Sequence, residues 1–161
     1  MSTLYVDTIA EKTAGNGVQI PGHVVQVVNN ALAVQQTYSS TSPVNGNLSA
    51  SITPKYSNSK LLVMMTINGI HNANAFSGTN LYLYRDGSAA SLGSSGRWAY
   101  ATGYDSAGGN IVSAALNFLD NANSTSSTTF AVYASLYGTA PAYINVNPGD
   151  TSSITLMEIA Q

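Results

Sequence analysis

Two histidines, His23 and His71, and seven carboxylates are the acid–base groups of a 161-residue chain that contains no cysteine. A serine nucleophile needs a base, usually histidine, that is itself held by a third group. With 21 serines in the chain, some Ser will lie near some His by chance, and no Gly-x-Ser-x-Gly elbow marks one of them as special. His71, inside Asn-Gly-Ile-His-Asn-Ala-Asn, reads as a surface or turn histidine, and His23, just after Pro21-Gly22, as a hinge residue. Two histidines without thiolates cannot make a three-histidine or sulfur-ligated metal site. No metal and no cofactor is expected.

Glycoside hydrolysis needs two carboxyls flanking one bond. Asp86 and Asp150 sit in turn sequences, and Asp7 and Glu11 in a thin N-terminal stretch, which leaves Asp105, Asp120 and Glu158. Glu158 lies among Ile154, Leu156, Met157 and Ile159. A carboxylate in so apolar a strand must be paired, for example with Arg97 or Lys60, or exposed at an edge. Either role is favoured over catalysis. Gly15-Asn16-Gly17 begins like a dinucleotide fingerprint, but Ile20 stands where a third glycine belongs and no helix follows. The reading is therefore of a protein that is not an enzyme.

Such residues must be positioned by strands. Ser, Thr and Asn number 21, 15 and 16, all poor helix formers, and no window carries an apolar stripe of helical period. Residues 60–70 are apolar on both pleat faces, which suits a central strand covered on both sides. Residues 79–85 alternate, with Leu81 and Leu83 on one face and Asn80, Tyr82 and Tyr84 on the other, and Asp86-Gly87 then supplies a type I′ hairpin turn into residues 89–93. Residues 110–119 place Val112, Ala114, Leu116 and Phe118 on one face. Residues 128–138 point Phe130, Val132, Ala134 and Leu136 inward, with Tyr133, Ser135 and Tyr137 opposite. The last strand runs over residues 153–160, and residues 23–36 enter as the first, kinked at Asn29-Asn30. Short strands between Ser-, Asn- and Gly-rich turns predict an all-β fold, an antiparallel β-sandwich of jelly-roll kind.

Residues 1–22 form a separate N-terminal arm, and residues 23–161 the head. The arm offers Leu4, Val6, Ile9, Val18, Ile20 and Pro21 but too few apolar side chains for a core, so it should dock on another subunit. Charged residues make up only 7% of the chain, five basic against seven acidic, without a basic run to neutralise a phosphate backbone. Nucleic acid is excluded as a partner. No apolar stretch approaches the roughly 20 residues of a spanning helix, so membrane insertion is not expected. The opening Met-Ser-Thr-Leu-Tyr-Val-Asp has neither the basic nor the apolar region of a signal peptide, which predicts no Sec export.

Residues 96–105, Gly-Arg-Trp-Ala-Tyr-Ala-Thr-Gly-Tyr-Asp, interleave aromatics and glycines outside any strong strand pattern. Rings with neighbouring amides and hydroxyls bind sugars and protein surfaces at low entropic cost. Trp98, Tyr100 and Tyr104, with Asn72, Asn74 and Phe76, are thus the candidate receptor-binding residues. Trp98 and Tyr100 could instead cap the end of the core, the more common use of such rings.

The stretch from Leu4 to Gln26, Leu-Tyr-Val-Asp-Thr-Ile-Ala-Glu-Lys-Thr-Ala-Gly-Asn-Gly-Val-Gln-Ile-Pro-Gly-His-Val-Val-Gln, resembles a segment of tail-fibre and other virion structural proteins of marine bacteriophages, cyanophages among them. Ile-Thr-Pro-Lys-Tyr-Ser-Asn-Ser-Lys-Leu-Leu-Val at 52–63 and Ile-Thr-Leu-Met-Glu-Ile-Ala-Gln at 154–161 resemble the first core strand and the closing strand of the head in the same proteins. The resemblance implies a β-rich homotrimer of the virion, assembled in the host cytoplasm among other virion proteins. A tail-fibre or fibre-tip part in host attachment, through a host-surface glycan or protein, is the first reading. A capsid decoration or accessory protein, or a small carbohydrate-binding β-sandwich with or without hydrolase activity, is the alternative.

Overall fold

The computed structural model describes residues 8–10, 20–72, 77–90, 92, 96–102, 110–139 and 141–161, the side chains of residues 100–102 excepted. Its described residues form eleven strands and no helix: β1 (Val24–Leu32), β2 (Gln36–Tyr38), β3 (Val44–Ile52), β4 (Lys60–Asn72), β5 (Gly78–Arg85), β6 (Ser88–Ala89), β7 (Arg97–Thr102), β8 (Ile111–Asn121), β9 (Thr128–Tyr137), β10 (Ala142–Ile144) and β11 (Ser152–Ile159). All pairings are antiparallel. One sheet runs β1–β11–β4–β8, and β10 and β2 extend it beyond the end of β11; the other runs β3–β9–β5–β7, with the short β6 beside β5.

With the short β2, β6 and β10 set aside, the eight long strands fall into two four-stranded sheets in the interleaved order of a jelly roll. The inward set is the one that alternation dictates. Leu81, Leu83, Phe130, Val132, Ala134 and Leu136 meet Leu61, Val63, Met65, Ile67, Ile154 and Leu156 in one core, all of them buried. Val112, Ala114, Leu116 and Phe118 pack on its margin. Arg85 ties the sheets together at one edge, donating to Asp120 Oδ2 at 2.8 Å and to the carbonyls of Asn121 and Ala122.

Several expectations change. Asn29-Asn30 continue β1 in register, and the irregularity lies between Val24 and Gln26. β6 is only two residues long, because Ala90 N–H still donates to the Leu83 carbonyl but the Leu83 N–H donates to Gly96 instead of returning the bond. Arg97–Thr102 is a strand, its pattern hidden by a bulge of its own at Trp98, the residue skipped where Ala99 and Arg97 pair with Leu81 and Tyr82 of β5. β4 is central, as expected, but the described residues pack a second sheet on only one of its faces; Leu62 and Met64 are half-buried on the other.

Inside β4 the alternation breaks between Ile67 and Ile70, both fully buried. Here β4 exchanges β11 for β10 as its neighbour. The break is made by Gly69 at φ +59, where a side chain would overlap the Asp150 carboxylate and meet Val146 N at 2.8 Å. Before β1 the chain turns at residues 21–22, where Gly22 N–H donates to the Ala160 carbonyl and Ala160 N–H to the His23 carbonyl. Residues 22–23 are thereby pinned to the end of the last strand.

Candidate functional site

The outward side of the β3–β9–β5–β7 sheet is where aromatic and hydrogen-bonding side chains converge. Strand alternation puts them there: with Leu81 and Leu83 inward, Asn80, Tyr82 and Tyr84 face out, and with Val132, Ala134 and Leu136 inward, so do Tyr133, Ser135 and Tyr137. Register then sets neighbours, pairing Asn80 with Ser135 and Tyr82 with Tyr133, while β7 lays Arg97 beside Tyr82 and Tyr100 beside Asn80.

Asn80 Nδ2 donates to Ser135 Oγ at 3.2 Å, the Tyr82 hydroxyl shares a hydrogen with the same Oγ at 3.2 Å, and Arg97 Nη1 donates to Asn80 Oδ1 at 3.2 Å. The rings of Tyr84 and Tyr133 lie parallel, centroids 3.9 Å apart and 11° from coplanar. Tyr137 is 55% exposed at one end of the patch. Asn80, Tyr82 and Ser135 are themselves buried and fix the exposed Arg97 at the border, while Tyr84 and Tyr133 are half-buried. Such a surface binds by ring stacking and by neutral hydrogen bonds, with the Arg97 guanidinium at its border. That suits a polyhydroxylated ligand or a polar protein surface.

The sequence-chosen cluster is only partly assembled. Trp98 is half-buried in β7 against the core, and its Nε1 is buried without a partner. Tyr100 lies in the same strand. Asn72 does not face solvent: it is 2% exposed at the end of β4, and its Oδ1 accepts from Thr79 Oγ1 at 3.0 Å. Asn74, Phe76 and Tyr104 lie outside the described residues, as do Leu4, Val6 and Val18 of the arm. Ile9 and Ile20 are 58% and 46% exposed, and Pro21 is exposed at the junction. The tyrosine face was visible in the alternation of residues 79–85 and 128–138, but outward tyrosines in a strand look like ordinary surface until the register joins them.

The acid–base groups have other places. His71 is half-buried within β4, in neither a turn nor a loop, its ring stacked on Tyr143 at 5.9 Å. Asp120 is held by Arg85, Asp150 Oδ2 accepts the Asn147 N–H within its turn, and Asp105 lies outside the described residues. Glu158 is fully buried and meets neither Arg97 nor Lys60. Four neutral groups hold it: Gln26 Nε2 at 2.6 Å, Ser59 Oγ at 2.8 Å, Lys55 N at 2.9 Å and Tyr56 N at 3.0 Å. Burial alone would raise its pKa, but the Lys55 amide, the Gln26 carboxamide, the Ser59 hydroxyl and the Tyr56 amide together hold it below the ordinary 4.5. The sequence could not supply this partner set, because two of the four donors are backbone groups. Among the described residues no three His, Asp or Glu side chains group so as to hold a metal ion.

No protein-family model and no curated protein matches the chain. Among solved structures, that of the Yersinia pseudotuberculosis-derived mitogen is similar over 88% of each chain, at 14% identity and a TM-score of 0.26. A likeness of that size carries no functional meaning.

Proposed function

We propose that this chain is a non-enzymatic structural protein of a phage virion, the head of a tail fibre or fibre tip, which works as a homotrimer and meets a host-surface glycan or protein. The observation that carries the attachment role is the tyrosine face: Tyr82, Tyr84, Tyr133 and Tyr137 with Asn80, Ser135 and Arg97, side by side on one sheet. Two further points support the reading. Three segments resemble phage virion proteins, and the strand order is that of jelly rolls, which build viral capsid and lectin domains.

The test has two parts. Antibody labelling of intact virions should place the chain at the tip of a tail fibre, and a Tyr84→Ala/Tyr137→Ala variant should assemble but adsorb to host cells more slowly. Adsorption at the normal rate would remove the face from the attachment role.

The same face also favours the second reading, a carbohydrate-binding sandwich that is no part of a virion. That protein would bind a defined sugar as a monomer and would be missing from purified particles. If labelling finds the chain on the capsid shell, the decoration reading replaces the fibre one.

A further inference from the structure

The opposite outward surface, on the β1–β11–β4–β8 sheet, has a different composition. Val27 pairs with Met157, Met157 with Leu62 and Leu62 with Leu119, so one apolar row crosses all four strands. The next row is Asn29, Thr155, Met64 and Asn117, and the one after it Ala31, Ser153, Thr66 and Ala115. On the other side lie Ile159, Lys60 and Asn121, where the Lys60 ammonium donates to Asn121 Oδ1. The two ends of the apolar row are open to solvent, Val27 at 53% and Leu119 at 54%.

We infer that this face is the surface through which copies of the chain associate. The inference takes from the reading above only that copies of the chain associate: two such faces packed on each other make a two-fold contact, hence a dimer, and a trimer would use a different pair of surfaces. Self-association is favoured over a foreign partner on three grounds. Of the fifteen residues named in these rows, Lys60 is the only ionisable one, so the face can meet itself without like-charge repulsion and offers no charge pattern to select another protein. Its flanking Asn and Thr side chains each donate and accept, so they can pair with their own equivalents. Its size also fits: four strands about 4.8 Å apart and four rows about 6.6 Å apart cover roughly 500 Å² per copy. Two such faces bury about 1,000 Å², the threshold of a specific interface. The edge strand β8 adds to this, since Ile111–Asn121 contains neither Pro nor Lys, the usual protection of an exposed edge.

Sedimentation velocity of the full chain at micromolar concentration tests the inference. The native chain should sediment above 16.7 kDa, and Val27→Lys/Leu119→Lys should shift to the monomer with its circular dichroism unchanged. Because the chain has no cysteine, a second probe needs no charge: Leu119→Cys treated with a short bis-maleimide should give cross-linked multimers, and Tyr137→Cys on the other face should give none. A native chain that is monomeric throughout overturns both this inference and the oligomeric reading. If the native chain and the lysine variant are equally oligomeric, or if Leu119→Cys fails to cross-link, this face is wrong while the oligomeric reading stands. A lysine variant that does not fold leaves the cross-linking result to decide.

Discussion

The two outward faces of the sandwich are made by the same alternation, yet they carry opposite chemistry. One presents Val27, Met157, Leu62 and Leu119 in a row; the other presents Tyr84, Tyr133 and Tyr137 beside a network of Asn80, Tyr82, Ser135 and Arg97. The inward residues are interchangeable in kind, with Leu, Ile, Val and Phe on both sheets. The shared core therefore fixes the fold, while the outward positions are free to differ. Aliphatic side chains gain by non-directional loss of water, whereas fixed rings and amides gain only from a ligand of matching geometry. The first chemistry suits a copy of the same chain, the second a recognised surface.

The largest effect should come from a residue that belongs to neither face. Glu158 joins β11 to the β3–β4 connection through three neutral donors, Lys55, Tyr56 and Ser59, and to β1 through a fourth, Gln26. In Glu158→Gln an amide N–H must face those donors, and a loss of about 3 kcal/mol in urea denaturation is expected, since buried donors left without an acceptor cost about 1–3 kcal/mol and more at a charged group. The pH dependence has a definite sign. The folded pKa lies below the unfolded one, so the carboxylate contributes its full stability above the ordinary 4.5, and that contribution is lost as pH falls through the folded value. The native chain should weaken through that acid window, and Glu158→Gln should lack this component. Equal acid sensitivity in both would assign it to another group.

The sequence showed the second sheet better than the first, for a physical reason. β5 and β9 are polar on one side, so period two identified their inward residues and left Tyr82, Tyr84, Tyr133 and Ser135 outside. β4 is apolar on both sides, and from sequence alone Leu62 and Met64 could not be told from core. Arg97–Thr102 was hidden because a bulge at its own Trp98 breaks the alternation. Asn72 reads as a loop amide, yet strand pairing carries β4 past the Gly69 bulge and buries it beside Thr79. Cross-strand partners and backbone donors are properties of register, which one strand's sequence does not contain.

Gly69→Ala tests whether that bulge keeps the two sides of β4 distinct. At φ +59 a side chain costs about 1–2 kcal/mol in itself, and its overlap with Asp150 adds to this. The expected loss is about 2 kcal/mol, read from the shift in the denaturation midpoint. A loss below about 0.5 kcal/mol, the range of ordinary surface substitutions, would mean that the turn containing Asp150 moves aside freely and that the outward pattern of β4 does not depend on it.

A smaller effect is expected from the tyrosine pair. Tyr84 and Tyr133 stack at 3.9 Å, and such pairs contribute about 0.5–1.5 kcal/mol beyond the area they bury. A double-mutant cycle of Tyr84→Ala and Tyr133→Ala should give a coupling of about 1 kcal/mol. Additive losses would show that the rings are independent surface groups, and the description of this face as prearranged would fail.

The smallest effect belongs to the aliphatic row, and it separates the two faces most sharply. Val27 and Leu119 are more than half exposed within their own chain, so folding removes little of their surface from water. Threonine has the β-branch that a strand accepts, as Val27 already does, and replaces apolar surface with a hydroxyl that water can solvate. Val27→Thr/Leu119→Thr should therefore leave the unfolding free energy within about 0.5 kcal/mol when measured at a dilution where the chain is monomeric. At higher concentration the native chain should gain stability with concentration, because association stabilises the folded state by mass action, and the threonine variant should gain less. A loss above about 1 kcal/mol at high dilution would place these side chains among the determinants of the fold, and the contrast between a face for copies and a face for ligands would no longer rest on them.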